Sequence, residues 1–225
     1  MFSQCSQRPV TEHVESKQAR SVFSDRDCLP DTNPLSEFWQ GAPVTLLTQN
    51  SFGESLAGPP TEVRSRWSAT HLYLLFTCPY EALCLKPDPD TSKETNKLWQ
   101  WDVAEVFVCP EGDKIRRYKE FEVSPQGEWV DLDVDLDSPN HEAGWVWTSG
   151  MEVASRIDRE NCIWYGSMRI PFSSIDARGA VPGQFLRANF FRWHGLKQTS
   201  EVWIPTMKAT FHVPDVFGWL LLEKG

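Results

Sequence analysis

The sequence lacks any apolar run long enough to cross a bilayer. No hydrophobic h-region follows its first residues, MFSQCSQRPVTEHVESKQAR, and Cys5 lacks the apolar stretch of a lipoprotein signal. No signal peptide is visible, so the expected location is cytoplasmic, or extracellular or periplasmic if a signal has been removed. The six cysteines, Cys5, Cys28, Cys78, Cys84, Cys109 and Cys162, form no CxxC pair. Cys78 and Cys84 flank a short loop within reach of each other, yet a cytosolic chain should keep them as free thiols. Cys109 and Cys162 fall in strand patterns and read as small buried hydrophobes. The five histidines, His13, His71, His141, His194 and His212, make no HExxH pair. There is no GxSxG elbow and no Gly-rich phosphate loop. The common signatures of zinc catalysis, serine hydrolysis and nucleotide binding are thus missing. Positive charge is scarce: 22 Lys and Arg against 31 Asp and Glu give a net charge of −9. That excludes the basic footprint a nucleic-acid partner needs. A neutral ligand or a cation is compatible with it.

What the chain has in abundance is tryptophan, 11 in 225 residues. A core absorbs some of these rings and leaves others for a surface role, because an exposed ring forgoes the free energy of burial. At 40% hydrophobic and 24% charged residues, the chain fits one large domain with a sizeable core. Residues 1–34 are polar and without period, and read as an N-terminal arm. Leu35 to Trp39 reads as a helical turn. Strand patterns follow at Val44 to Thr48, Thr61 to Ser68 and the nearly all-apolar His71 to Cys78. Further strands are expected at Trp145 to Thr148, Met151 to Ile157, Cys162 to Ile170, Gln184 to Trp193 and Gly218 to Glu223. Pro171 to Ile175 reads as another helical turn. Many short strands, Gly and Pro turns and few helix patterns predict an all-β sandwich over residues 35–225.

The richest stretch is Leu98 to Asp137, LWQWDVAEVFVCPEGDKIRRYKEFEVSPQGEWVDLDVDLD. It holds three strand patterns joined by Gly-containing turns. Strands send alternate side chains to opposite faces. One face then carries Ala104, Val106, Val108, Phe121, Val123, Val130, Leu132, Val134 and Leu136, and is a core. The other carries Glu105, Phe107, Tyr118, Glu120, Glu122, Trp129, Asp131, Asp133 and Asp135. Carboxylates beside large rings suit sugar hydroxyls and the flat apolar faces of pyranose rings. The same face also reads as the solvated outside of a sandwich. Asp131, Asp133 and Asp135 alternate on one strand and form an oxygen-rich row, the ligand type of Ca²⁺. Residues two apart on a strand are too far apart to chelate alone, so a neighbour must contribute.

These residues resemble a known family. Trp99, Asp102-Val103-Ala104-Glu105-Val106-Phe107 and Tyr118-Lys119-Glu120-Phe121-Glu122-Val123-Ser124-Pro125 with Gly127 look like family 9 carbohydrate-binding modules, and most like carbohydrate-binding family 9-like proteins. Arg187-Ala188-Asn189-Phe190-Phe191-Arg192, Trp203, and Phe211-His212-Val213-Pro214 running into Phe217-Gly218 extend the likeness. The resemblance implies a DOMON-like, jelly-roll-like sandwich of two antiparallel sheets and non-catalytic binding of a mono- or oligosaccharide end. It implies that Trp99 stacks on the sugar and that Glu105 accepts its hydroxyl hydrogen bonds. It also implies a second stacking ring. Trp203 matches the later motif, and Trp193 is its rival. Tyr118, Glu120 and Arg192 complete the expected ligand set. Structural calcium in the family makes Asp131, Asp133 and Asp135 its candidate ligands here.

Three other readings stand beside this one. Glu105, Glu120 and Glu122 could supply the acid and nucleophile of a glycosidase. Related sandwiches bind haem through Met with His or Lys, and Met151, Met168 and Met207 are the available methionines. The exposed aromatics would also serve a protein-interaction surface.

Overall fold

The computed structural model describes residues 17–110, 112, 114–139 and 145–224. Cys5, His13, His141 and residues 1–16 of the expected arm lie outside the described residues. The regular structure of the described chain is nearly all strand: β1 (Gln18–Phe23), β2 (Val44–Leu47), β3 (Thr61–Trp67), β4 (His71–Pro79), β5 (Val103–Pro110), β6 (Arg117–Val123), β7 (Trp129–Asp135), β8 (Glu152–Asp158), β9 (Ile163–Pro171), β10 (Phe185–His194), β11 (Thr199–Val202) and β12 (Gly218–Glu223). Helix is confined to single turns at Glu37–Trp39, Leu98–Gln100, Phe172–Ile175 and Pro214–Val216. This is the all-β class that the patterning predicts.

The strands run in one continuous order, β7-β6-β5-β10-β12-β1-β3-β4-β9-β8, with β11 added to β10 and β2 to β3. The ends of this sheet fold over until they face each other. Phe76 of β4 meets Phe190 of β10 with ring centroids 6.4 Å apart. At Gly166 of β9 an added Cβ would lie 2.7 Å from Val123 Cγ1 of β6, so the close approach requires glycine there. The halves face each other as layers of a sandwich do, but hydrogen bonding is continuous between them rather than split into two sheets. The main core lies between, with Leu74, Phe76, Val106, Phe121, Trp164 and Phe190 fully buried. β4 is buried on both faces because β3 and β9 flank it and the core and an outer cluster cover it. A doubly covered strand needs apolar residues at both parities, which the HLYLLFTCP sequence supplies.

The continuity runs through β1, which corrects the expected arm. β1 lies parallel to both β12 and β3, with Ala19 and Ser21 buried. Its polar residues are paired: Arg20 makes two hydrogen bonds to Glu223, at 2.8 and 2.7 Å, and Ser21 receives one from Ser65. Two smaller expectations also fail. Trp145 to Thr148 makes a single bridge, Val146 to Leu132, rather than a strand. Cys162 is exposed in the β8–β9 turn with φ +53°, whereas Cys109 is buried as expected.

The phase of β7 is the larger correction. Glu120 pairs with Leu132, Glu122 with Val130 and Tyr118 with Val134, so these valines and Leu132 share the carboxylate face. Asp131, Asp133 and Asp135 share the other face with Phe121, Lys119 and Arg117. β7 ends the sheet, so its aspartates reach the rim, where cross-strand cations meet two of them. Lys119 Nζ lies 2.7 Å from Asp133, and Arg117 Nε lies 3.5 Å from Asp135.

Candidate functional site

β5 and β6 set the floor of the site by register alone. Glu105 faces Glu122 across the strand pair, and Phe107 faces Glu120. β10 lies on the other side of β5, with Phe191 opposite Glu105 and Trp193 opposite Val103. The approach to β5 places Trp99. Lys97 adopts a left-handed backbone, φ 63°, and a 3₁₀ turn follows over Leu98–Gln100. Leu98 is fully buried as its anchor, and this leaves Trp99 half-buried above the sheet. Asp102 locks the turn to its neighbours. Its carboxylate accepts the backbone N–H of Gly195 at 2.8 Å and that of Cys84 at 3.2 Å. Gly195 packs so closely that an added Cβ would sit 2.9 Å from backbone atoms of Trp101. Trp99 and Trp193 are therefore held relative to each other through backbone contacts.

The segment before the Pro214–Val216 turn closes another side. Phe211 stacks on Phe191 with centroids 4.3 Å apart and planes at 10°, and meets Trp193 edge-on at 6.3 Å. His212 lies between Phe107 and Trp145, each 5.3 Å away centroid to centroid. Its Nδ1 shares a 2.6 Å hydrogen bond with the Tyr118 hydroxyl and lies 4.0 Å from Glu120 Oε2. Burial pushes the Tyr118 phenol well above its ordinary range.

These parts enclose a cavity of about 400 Å³, lined by Trp99, Glu105, Glu120, Trp145, Trp193 and His212 among others. Exposed Gln100 and Gln198 also line it. Aromatic walls with a few convergent polar groups are the usual build of a ligand pocket. Glu105 is 2% exposed, Glu120 3% and Glu122 0%. Burial lifts the Glu105 carboxyl well above the usual range, and Glu120 adds to the shift by repulsion. Glu122 is raised by burial first and then by Glu105 and Glu120.

Of the expected ligand set, Trp99, Glu105, Glu120 and Trp193 meet in this one cavity. Tyr118 is fully buried behind it and acts on it through His212. Two residues lie elsewhere. Trp203 packs into the main core, with its ring 5.4 Å from that of Phe190. Arg192 points to the opposite side of β10, fully buried, and donates to Pro79 O at 2.6 Å, Thr61 Oγ1 at 3.1 Å and Glu201 at 3.2 Å. The aspartates are also apart from the cavity. Asp131 is buried and accepts hydrogen bonds from the Ser149 hydroxyl and backbone N–H, while Asp133 and Asp135 face cations as above. Sequence reasoning did not place Trp145, Phe211 or His212 in the site. The Phe211-His212-Val213-Pro214 motif was the available signal for two of them, and Trp145 had none.

No protein-family model matches the chain. Its fold, however, has solved counterparts. A Bacteroides uniformis protein, provisionally named carbohydrate-binding, superposes with a TM-score of 0.68 at 19% identity, over 92% of this chain and 99% of that one. A carbohydrate-binding module of family 9 from Caldicellulosiruptor kristjanssonii, solved with cellotriose, gives 0.64 at 12% identity, over 93% and 95%. A structure of a family 9 module from the same organism with glucose gives 0.62 at 13%, over 92% and 97%. The fold is like that of family 9 carbohydrate-binding modules. At these identities the likeness carries the fold alone. Among curated proteins, an "Extracellular protein" of Arthroderma benhamiae is 25% identical over 173 residues, 71% of this chain and 77% of that protein. No helix among the described residues is long and apolar enough to cross a membrane.

Proposed function

We propose that this chain is a non-catalytic carbohydrate-binding domain whose pocket takes a sugar ring against Trp99 and Trp193. The carrying observation is that these two rings, Glu105 and Glu120 line one cavity of about 400 Å³. An indole face gains free energy by covering the apolar face of a pyranose, and a carboxylate accepts strong hydroxyl hydrogen bonds. Trp193 takes the second stacking role because it lines the cavity, whereas Trp203 is packed on Phe190. Solved modules of this fold hold cellotriose and glucose, which makes a gluco-configured end the first ligand to test. The curated relative's name favours the extracellular alternative among the expected locations.

The carboxyls do not favour a glycosidase. Such enzymes flank the scissile bond with two carboxyls, about 5–5.5 Å apart when retaining and about 6.5–9.5 Å when inverting. Here Glu105, Glu120 and Glu122 gather on one patch, each nearly fully buried. The methionines offer no support for haem: Met151 and Met168 belong to the core and Met207 is exposed. The test is titration of glucose, cellobiose and a broader sugar panel, read by tryptophan fluorescence and calorimetry, beside a hydrolysis assay on aryl glycosides. Saturable binding without turnover is expected. Turnover that disappears in Glu120→Gln would overturn the binding reading.

A further inference from the structure

We propose that Glu105, Glu120 and Glu122 hold a divalent cation of the calcium class at the floor of the aromatic cavity. The geometry admits such an ion. One carboxylate oxygen from each residue can be chosen so that all lie within 4.8 Å of one another. Ca²⁺ binds oxygen at about 2.3–2.6 Å, so ligands on opposite sides of the ion are about 4.6–5.2 Å apart.

The second observation concerns Glu105 and Glu122, whose buried oxygens find no donor. Neither oxygen of Glu122, nor Oε1 of Glu105, meets a hydrogen-bond partner, and both side chains are at least nine-tenths buried. Their polar neighbours are one another and Glu120. The fold treats its other buried acids differently. Asp102 receives two backbone N–H groups, Asp131 receives Ser149, and Glu201 receives Arg192 and the Thr61 N–H. A buried carboxyl without a donor is costly unless a cation compensates it. Neither Lys nor Arg stands among the cavity-lining residues described here. The cavity reaches Glu105 and Glu120, so an ion has a path to the site. Ca²⁺ takes about six to eight oxygens, so three carboxylates leave positions that face the cavity. Where the sugar reading holds, vicinal hydroxyls fill those positions; this last step rests on that reading.

The test uses the whole chain, stripped with EDTA and titrated with CaCl₂ by calorimetry and with TbCl₃ by luminescence under indole excitation. The rings of Trp99, Trp145 and Trp193 line the cavity and would sensitise terbium. Saturable binding of one ion is expected. Glu122→Gln should weaken Ca²⁺ binding by at least about tenfold and quench the terbium signal. Its metal-free melting temperature should hold or rise, because a donorless carboxylate is removed. Glu105→Gln serves as a second variant if Glu122→Gln fails to fold. Asp133→Asn, paired with Lys119 on the opposite face, should bind the ion as the parent does. Absence of binding at millimolar Ca²⁺ and Tb³⁺, or binding unchanged in both Gln variants, would overturn the site. Loss in Asp133→Asn alone would assign the ion to the aspartate row and overturn it too. Glucose is then titrated with Ca²⁺ and with EDTA. Weaker binding in EDTA supports the cation bridge to sugar, and equal binding overturns that bridge. Ca²⁺ binding with no sugar bound in either condition defeats the sugar reading and upholds the cation site.

Discussion

Arg192 and Trp193 are consecutive residues of β10, and strand alternation sends them to opposite sides of the sheet. Arg192 enters a buried network with Glu201 and Thr61, while Trp193 lines the cavity. Trp203 follows the Arg192 side and enters the core beside Phe190. The two tryptophans should therefore fail in different assays. Trp193→Ala should weaken sugar binding by about 1–3 kcal/mol, the scale of one large buried apolar group, with little loss of stability. Trp203→Ala should lower unfolding free energy by about 2–4 kcal/mol and leave sugar affinity intact. Calorimetry with glucose and urea denaturation on both variants separate the cases, and the reverse pattern would restore Trp203 as the stacking ring. At this scale the sequence was informative where a site residue belongs to a contiguous motif. Trp99 and Glu105 are six positions apart on one turn and strand, and the family resemblance of that stretch implies the roles proposed for them. Trp145 and His212 reach the same cavity from segments remote in the chain, and no local pattern announces that meeting.

Period-2 reading locates a strand well and its facing poorly when both parities are partly apolar. β5, β6 and the centre of β4 are legible because their runs are long and β-rich. β7 was phased wrongly because the acidic row appeared to continue the acidic face of β6. Register shows the reverse: Val130 and Leu132 share the carboxylate face, and the aspartates meet Lys119 and Arg117 at the sheet edge. β1 and β11 were not legible at all. Each is short and polar, and pairing with strands already in the sheet stabilises it. The turn elements matter as much as the strands. Asp102 and Gly195 join the Leu98–Gln100 turn to the β10–β11 hairpin, and hence Trp99 to Trp193. Gly195→Ala places a methyl 2.9 Å from the Trp101 backbone, which cannot rotate away as a side chain can. We expect a stability loss of about 1–3 kcal/mol from overpacking and a parallel loss of sugar affinity as the rings separate. Thermal melts and calorimetry read both. Full affinity in a destabilised variant would show that the turn does not position the rings.

Across the whole molecule, the chain just after β1 is clasped to the opposite half of the sheet. Asp27 accepts two hydrogen bonds from Arg169 of β9, at 3.0 and 2.9 Å, and one from Tyr73 of β4. The Arg169 bond is the main reason its carboxyl is depressed to about 2. A depressed carboxyl stabilises the fold above its unfolded value of about 3.9 and loses that contribution as pH falls toward 2. Asp27 is partly exposed, so Asp27→Asn should cost only about 0.5–1 kcal/mol at pH 7, and the gap to the parent should close near pH 2. Urea denaturation across that range tests it, and a pH-independent gap would mean that packing rather than charge holds the clasp. β1 itself carries a larger share of the fold, because in the strand order of the described residues it stands between β12 and β3. A chain beginning at Ser24 would leave β12 with an open edge and uncover Leu220 and Leu222 of the core. We expect it to lose cooperative unfolding and to aggregate. A synthetic peptide spanning residues 17–24, added in trans, should restore part of the fold by taking the vacant strand position. Circular dichroism melts with and without the peptide measure this. A truncated chain that melts cooperatively at the parent's temperature would show that the two halves hold together without β1, and that β1 only decorates their junction.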